Sequence, residues 1–199
     1  MKLRKFNVIL LAALGIAAPA SAHSGAALMG GFFAGFGHPF SGPDHLLAMV
    51  LVGLWGAFLG RPLIVALPVI FPTVMAFGGI LGMLNTPMPP VEFGIAMSVI
   101  MLGSAVACGW RAPVWLASLA VAIFAIFHGY AHGSELPSMA DPVAFSLGFV
   151  LATGALHVAG IGIGLLANGA RGAMAVRAIG AVIVLAGFYY LARATGIDA

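Results

Sequence analysis

Two short stretches hold most of the chemistry this chain could do. His38, Asp44 and His45 stand in HPFSGPDH, and His128, His132 and Glu135 stand in FHGYAHGSE. His128 and His132 are spaced i and i+4 and Glu135 follows three later, so on a helix all three share one face. Histidines at that spacing can hold one metal ion from a single side, as they do in zinc-binding helices. Together the stretches offer four imidazoles and two carboxylates. Imidazole suits nickel, cobalt, copper and zinc, and a nitrogen/oxygen set without sulfur points away from copper(I). Two carboxylates among neutral imidazoles would be costly to bury empty, and a divalent cation neutralises them.

These residues must be positioned inside a bilayer. The chain has 199 residues, of which 62% are hydrophobic and only 7% charged, with a mean hydropathy of +1.14. A soluble domain carries about a quarter charged residues. The formal charge is +3, which by itself would suggest an anionic partner. Lys2, Arg4 and Lys5, however, precede an apolar run from Val8 to Ala18 and the small-residue stretch Pro19-Ala20-Ser21-Ala22. That is the pattern of a secretory signal peptide, with cleavage expected after Ala22. The remaining chain, 23–199, reads as a single membrane domain with five bases against five acids and no lysine. The basic excess belongs to targeting, and no nucleic-acid partner is expected. One cysteine, Cys108, excludes an intrachain disulfide and any cysteine-rich metal site, and it reads as a small core residue.

The apolar segments are Gly25–Gly60, Leu63–Leu84, Val91–Cys108, Val114–His132, Val143–Asn168 and Met174–Ala192. They lack the two-residue alternation of a membrane barrel, so the expected fold is all-α, a polytopic helix bundle of six crossings. Arg61, Arg111 and the Arg171/Arg177 pair fall in alternate connections, while Glu92, Glu135 and Asp141 fall in those between. The positive-inside rule makes the arginine connections cytoplasmic and the mature N-terminus periplasmic, in an inner membrane. Only Arg193 sits on the less favoured side.

Gly25–Gly60 would span on the order of 50 Å as one helix, too long for a bilayer. Its two prolines and glycine at 39–43 predict a break, with a partial helix over Gly25–Gly37 and a crossing helix over Asp44–Gly60. Broken helices at membrane depth are a common way to build an ion site. This topology brings His45 and the His128/His132 pair to the same outer depth.

Simpler roles compete at several positions. Asp44 could serve only the helix N-terminus, and Gly129 with Gly133 could be only a close helix contact. His157, near the middle of the fifth segment, reads equally as an inner transit ligand or an interhelical hydrogen-bonder. His23 would become the mature N-terminus, where its amine and imidazole could chelate a metal or simply be exposed. The ten methionines read as packing, Pro68 and Pro72 as a kink, and Trp55, Trp110 and Trp115 as interfacial anchors.

HPFSGPDH and FHGYAHGSE, in this order behind a signal peptide, resemble the H-x5-D-H and F-H-G-x-A-H-G-x-E motifs of the HupE/UreJ family of nickel/cobalt permeases. The resemblance covers essentially the whole mature chain. It implies His38, Asp44, His45, His128, His132 and Glu135 as metal-site residues; His157 and His23, outside both motifs, stay weaker candidates on the residue reading alone. It also implies nickel or cobalt as the transported substrate, no resident cofactor, and a link to metalloenzyme maturation; a homo-oligomer is compatible with it. The chain has no G-x-x-x-x-G-K-[ST] motif, so secondary or facilitated transport is expected rather than an ATP-driven or enzymatic cycle. A membrane b-type haem protein with histidine axial ligands and a non-transporting metal-binding protein are the alternatives. An intramembrane hydrolase fits poorly, since neither His-Glu-x-x-His nor Gly-x-Ser-x-Gly occurs.

Overall fold

The computed structural model describes residues 27–134, 141–167 and 169–197. Among these every regular element is helical. The proposed signal peptide and its cleavage point, His23 and Glu135 lie outside the described residues. The helices are α1 (Ala27–Gly37), α2 (Pro43–Leu59), α3 (Leu63–Met83), α4 (Val91–Cys108), α5 (Val114–Ser134), α6 (Pro142–Leu166) and α7 (Gly169–Thr195). Helices α3 to α7 are each long and apolar enough to cross a membrane. Helices α1 and α2 form a broken pair bent by 80°, which brings the spans to six if the pair counts as one. The break falls where the prolines predict it, within the short 3-10 turn His38–Phe40 and the extended Gly42.

Helix α2 is the shortest of the spanning set and the most enclosed. Residues 51–56 are all buried, so every side of the helix is covered. A helix buried all round sits at the centre of a bundle. It packs on α6, α3 and α4, while α3 pairs with α5 and α4 with α7. Large apolar side chains on the outer faces, such as Val65, Phe77, Leu147, Val158 and Leu185, are exposed. Meanwhile Ser98, His128, His132, Thr153 and His157 are buried. Apolar groups outside and polar groups inside is the arrangement a hydrocarbon solvent demands.

Three sequence expectations change. Cys108 is exposed rather than in the core; in a bilayer an apolar neighbourhood marks the lipid face as readily as the interior. Trp55 is no lipid-facing anchor: it is fully buried, donates its indole N–H to the Trp110 carbonyl at 3.1 Å and stacks on the Trp110 ring. Trp110 and Trp115 are exposed as anchors should be. Arg171 and Arg177 stand on α7 itself, whose start at Gly169 precedes the expected Met174. Arg177 donates to the Ala107 carbonyl at the end of α4, and Arg111 lies over the Phe58 ring. These two bases therefore gather at one end of the bundle, while Asp44 and Glu92 share a cleft at the other.

Helix α3 continues through Pro68 and Pro72. Neither proline has an amide proton, so the carbonyls of Ile64 and Pro68 lose their usual helical donors. Gly129 and Gly133 of α5 meet the α3 backbone so closely that a Cβ would overlap the carbonyl oxygens of Met75 and Gly79 respectively. This pair of small residues sets the α3–α5 distance, and it sits beside the two histidines of the same helix.

Candidate metal centre

The broken pair delivers the first group of donors. Ser41 turns the chain after α1 by donating its amide and hydroxyl to the His38 carbonyl. Pro43 then opens α2 at a position where its missing N–H costs nothing. Asp44 follows in the first turn, where the helix N-terminus favours its charge. Its Oδ1 accepts the His45 backbone N–H and lies 2.8 Å from His45 Nδ1. The carboxylate therefore accepts a hydrogen bond from Nδ1–H, a tautomer in which Nε2 is the bare nitrogen. That Nε2 is buried without a hydrogen-bond partner. A carboxylate orienting an imidazole in this way is the usual outer support of a metal-binding histidine.

Helix α5 delivers the second group. His128 is fully buried, with Nε2 2.9 Å from the Ser98 hydroxyl of α4. The single hydroxyl proton of Ser98 goes to the Ile95 carbonyl at 2.6 Å, so the hydroxyl oxygen accepts from His128 Nε2–H. His128 thus keeps its proton on Nε2 and bares Nδ1, which is buried and unpartnered. His132, one turn further, has neither ring nitrogen hydrogen-bonded.

The imidazoles meet. Ring centroids are 4.9 Å apart for His38 and His132, 4.6 Å for His45 and His132, and 4.8 Å for His45 and His128. Two imidazoles bound to one ion at about 2.1 Å from each nitrogen hold their centroids roughly 4.5–5 Å apart. Among the described residues, no three histidine, cysteine, aspartate or glutamate side chains already converge as a finished metal site. Closing on an ion requires the rings to turn, which suits a site that must also let go. Phe149 packs against His132, Phe145 against His38, and Phe71 against His128, giving the cluster dry walls. Axial ligands on opposite faces of a haem hold their centroids about 6 Å apart, wider than any of these pairs.

Five of the residues expected from the sequence, His38, Asp44, His45, His128 and His132, lie together. Ser98 is an addition, signalled in the sequence only by a lone hydroxyl in an apolar helix. Glu92 is more than a loop marker. Glu92 and Asp44 line one cleft of about 350 Å³ with Pro43, Tyr190, Arg193 and Ala194. Arg193, on the side the charge rule disfavours, shares that cleft with two acids. His157 is buried in α6 outside the four-imidazole cluster, against the Phe71 ring that also packs on His128.

Helices that span a membrane, a broken central element and a histidine cluster at the break define a multi-pass membrane protein with an intramembrane imidazole–carboxylate site. The chain belongs to the HupE / UreJ family, whose sequence profile matches residues 11–190. It is 42% identical over 184 residues to the protein HupE of Rhizobium leguminosarum bv. viciae, a match covering 92% of this chain and 96% of that protein. No solved structure matches the chain.

Proposed function

We propose that this protein is an uptake permease for divalent transition-metal ions, nickel or cobalt, and has no enzymatic activity. The observation that carries the reading is the cluster of four imidazoles beside Asp44, in which His45, His128 and His132 each keep at least one buried ring nitrogen without a hydrogen-bond partner. A hydrated cation enters by the cleft of Asp44 and Glu92, loses part of its water, and is held by His38, His45, His128 and His132 with Glu135 completing the set. Transport is secondary or facilitated. The arginine ends face the cytoplasm, the cleft faces the periplasm, and residues 1–22 are removed after directing insertion into the inner membrane. The ion is substrate, handed on to a metalloenzyme maturation system. The test is labelled-nickel uptake by cells expressing the chain, with cobalt, zinc and manganese as competitors; no uptake above vector controls contradicts the proposal.

Ser98 has a measurable part in this. Ser98→Ala leaves His128 free to take either tautomer, and lost outer support typically costs about 10–100-fold in metal affinity. The expected result is a half-saturating nickel concentration raised by about tenfold, with Ser98→Thr restoring it. Unchanged affinity in Ser98→Ala contradicts the tautomer assignment.

Uptake should also fall as the external pH is lowered. Protons and the cation compete for the same imidazole nitrogens, so acid favours the empty, protonated site. Initial rates measured from neutral to mildly acid pH check this, and a rate that rises with acidity would mean proton-driven import dominates over competition.

A further inference from the structure

Helices α2 and α6 run side by side in the same direction, and their facing residues repeat at one-turn intervals. On α2 the stripe is His45, Met49, Gly53; on α6 it is Phe149, Thr153, His157. The outer members of both stripes touch the imidazole cluster: His45 faces His128 and His132, and Phe149 faces His132 and His38. One turn inward, the buried Thr153 hydroxyl donates to the Met49 sulfur at 3.6 Å. Another turn inward, Gly53 lies against the His157 backbone so tightly that a Cβ would overlap its carbonyl oxygen.

His157 is fully buried, and neither ring nitrogen has a hydrogen-bond partner. An imidazole used only to tie two helices together would spend at least one nitrogen on the tie, and leaving both empty is costly. The Pro68 carbonyl, deprived of its helical donor by Pro72, approaches the same ring without completing a hydrogen bond. Phe71 of α3 lies between the two levels, its ring 5.5 Å from His128 and 5.4 Å from His157 by centroids. Over these two inward turns the seam therefore holds an imidazole, a thioether, a hydroxyl and a freed carbonyl, with no carboxylate there among the described residues.

We infer that His157, with Thr153, Met49 and the Pro68 carbonyl, forms a second, inner station for the divalent cation, reached along the α2–α6 seam from the outer imidazole cluster. The inference rests on the transport reading for its purpose and on the unpartnered nitrogens for its chemistry. All four donors are neutral, whereas the outer station carries the Asp44 charge. The ion is held less tightly within than without, which lets it move on toward the cytoplasmic end. Imidazole suits nickel and cobalt, and the accompanying oxygen and sulfur donors are weak enough to exchange.

Equilibrium dialysis of nickel against the purified full chain in nanodiscs tests this without requiring transport. The wild type should bind two classes of ion, the second weaker by at least about tenfold, enough to resolve two steps. His157→Gln keeps a hydrogen-bonding side chain but is a poor ligand, and should lose the second class while retaining the first. Met49→Leu conserves volume without sulfur and should weaken only the second class, which guards against misfolding of the histidine variant. A single binding class in the wild type, or two unchanged classes in His157→Gln, overturns the inner station. If the wild type binds two ions yet carries no flux, the transport reading fails and the inner station stands. If flux is normal and His157→Gln matches the wild type in both flux and stoichiometry, the inner station fails and the transport reading stands.

Discussion

Replacing His132 with alanine is expected to abolish nickel and cobalt uptake while leaving the protein in the membrane. His132 is the link in the cluster: its ring lies against His38 from the broken segment and against His45 from α2. Removing it separates the donors at the break into two parts that no longer share a neighbour. Outer supports of a metal site cost about 10–100-fold when lost, and a central ligand should cost at least the upper end, about 100-fold. The effect on folding should be small by comparison. Neither His132 nitrogen makes a hydrogen bond that alanine would break, and the lost van der Waals contact with Phe149 is offset by relief of a buried, unsatisfied ring. Membrane abundance measured beside initial uptake rates separates the two effects. Uptake within a few-fold of wild type at equal abundance would contradict the assignment.

Gly129→Ala is expected to damage the protein by another route. A methyl group there would overlap the Met75 carbonyl oxygen of α3, and backbone cannot swing aside as a side chain can. Helices α3 and α5 must part or slide, and overpacking of this kind costs about 1–3 kcal/mol, occasionally more. Gly129 directly follows His128 in the chain, so the displacement carries the histidine away from Ser98 and His45. Thermal unfolding in detergent should show a clear loss of stability, and uptake should fall with it. His132→Ala should lose uptake with little change in stability. The same two measurements on both variants therefore distinguish ligand loss from helix displacement. A wild-type unfolding temperature in Gly129→Ala would mean the α3–α5 contact is looser than its geometry indicates.

Much of this was readable from residues. The break between α1 and α2 followed from a segment too long for one crossing and from prolines in its middle, and it appears at His38–Phe40. Helix α4 has the bounds its apolar run predicts, Val91–Cys108. The meeting of the two histidine motifs followed from counting crossings, because alternate helices run in opposite directions and fix which ends share a depth. Other features were hidden for physical reasons. A tryptophan near a helix end looks the same whether it faces lipid or, like Trp55, a neighbouring helix. In a bilayer both faces of a helix are apolar, so periodicity does not tell inside from outside, and Cys108 is exposed although its neighbours in the chain are apolar. Ser98 sits thirty residues from His128, and nothing local signals their hydrogen bond. Glu92 and Asp44 lie on different helices, and only packing brings them to one cleft.

The central claim is that this protein moves a divalent metal ion through its histidine cluster. Radiolabelled nickel flux into proteoliposomes holding the purified protein tests it with no other component present. The expected result is saturable flux that cobalt competes away and that His132→Ala reduces to the level of protein-free vesicles. Equal flux through wild-type and His132→Ala vesicles, or none above protein-free vesicles, would contradict it.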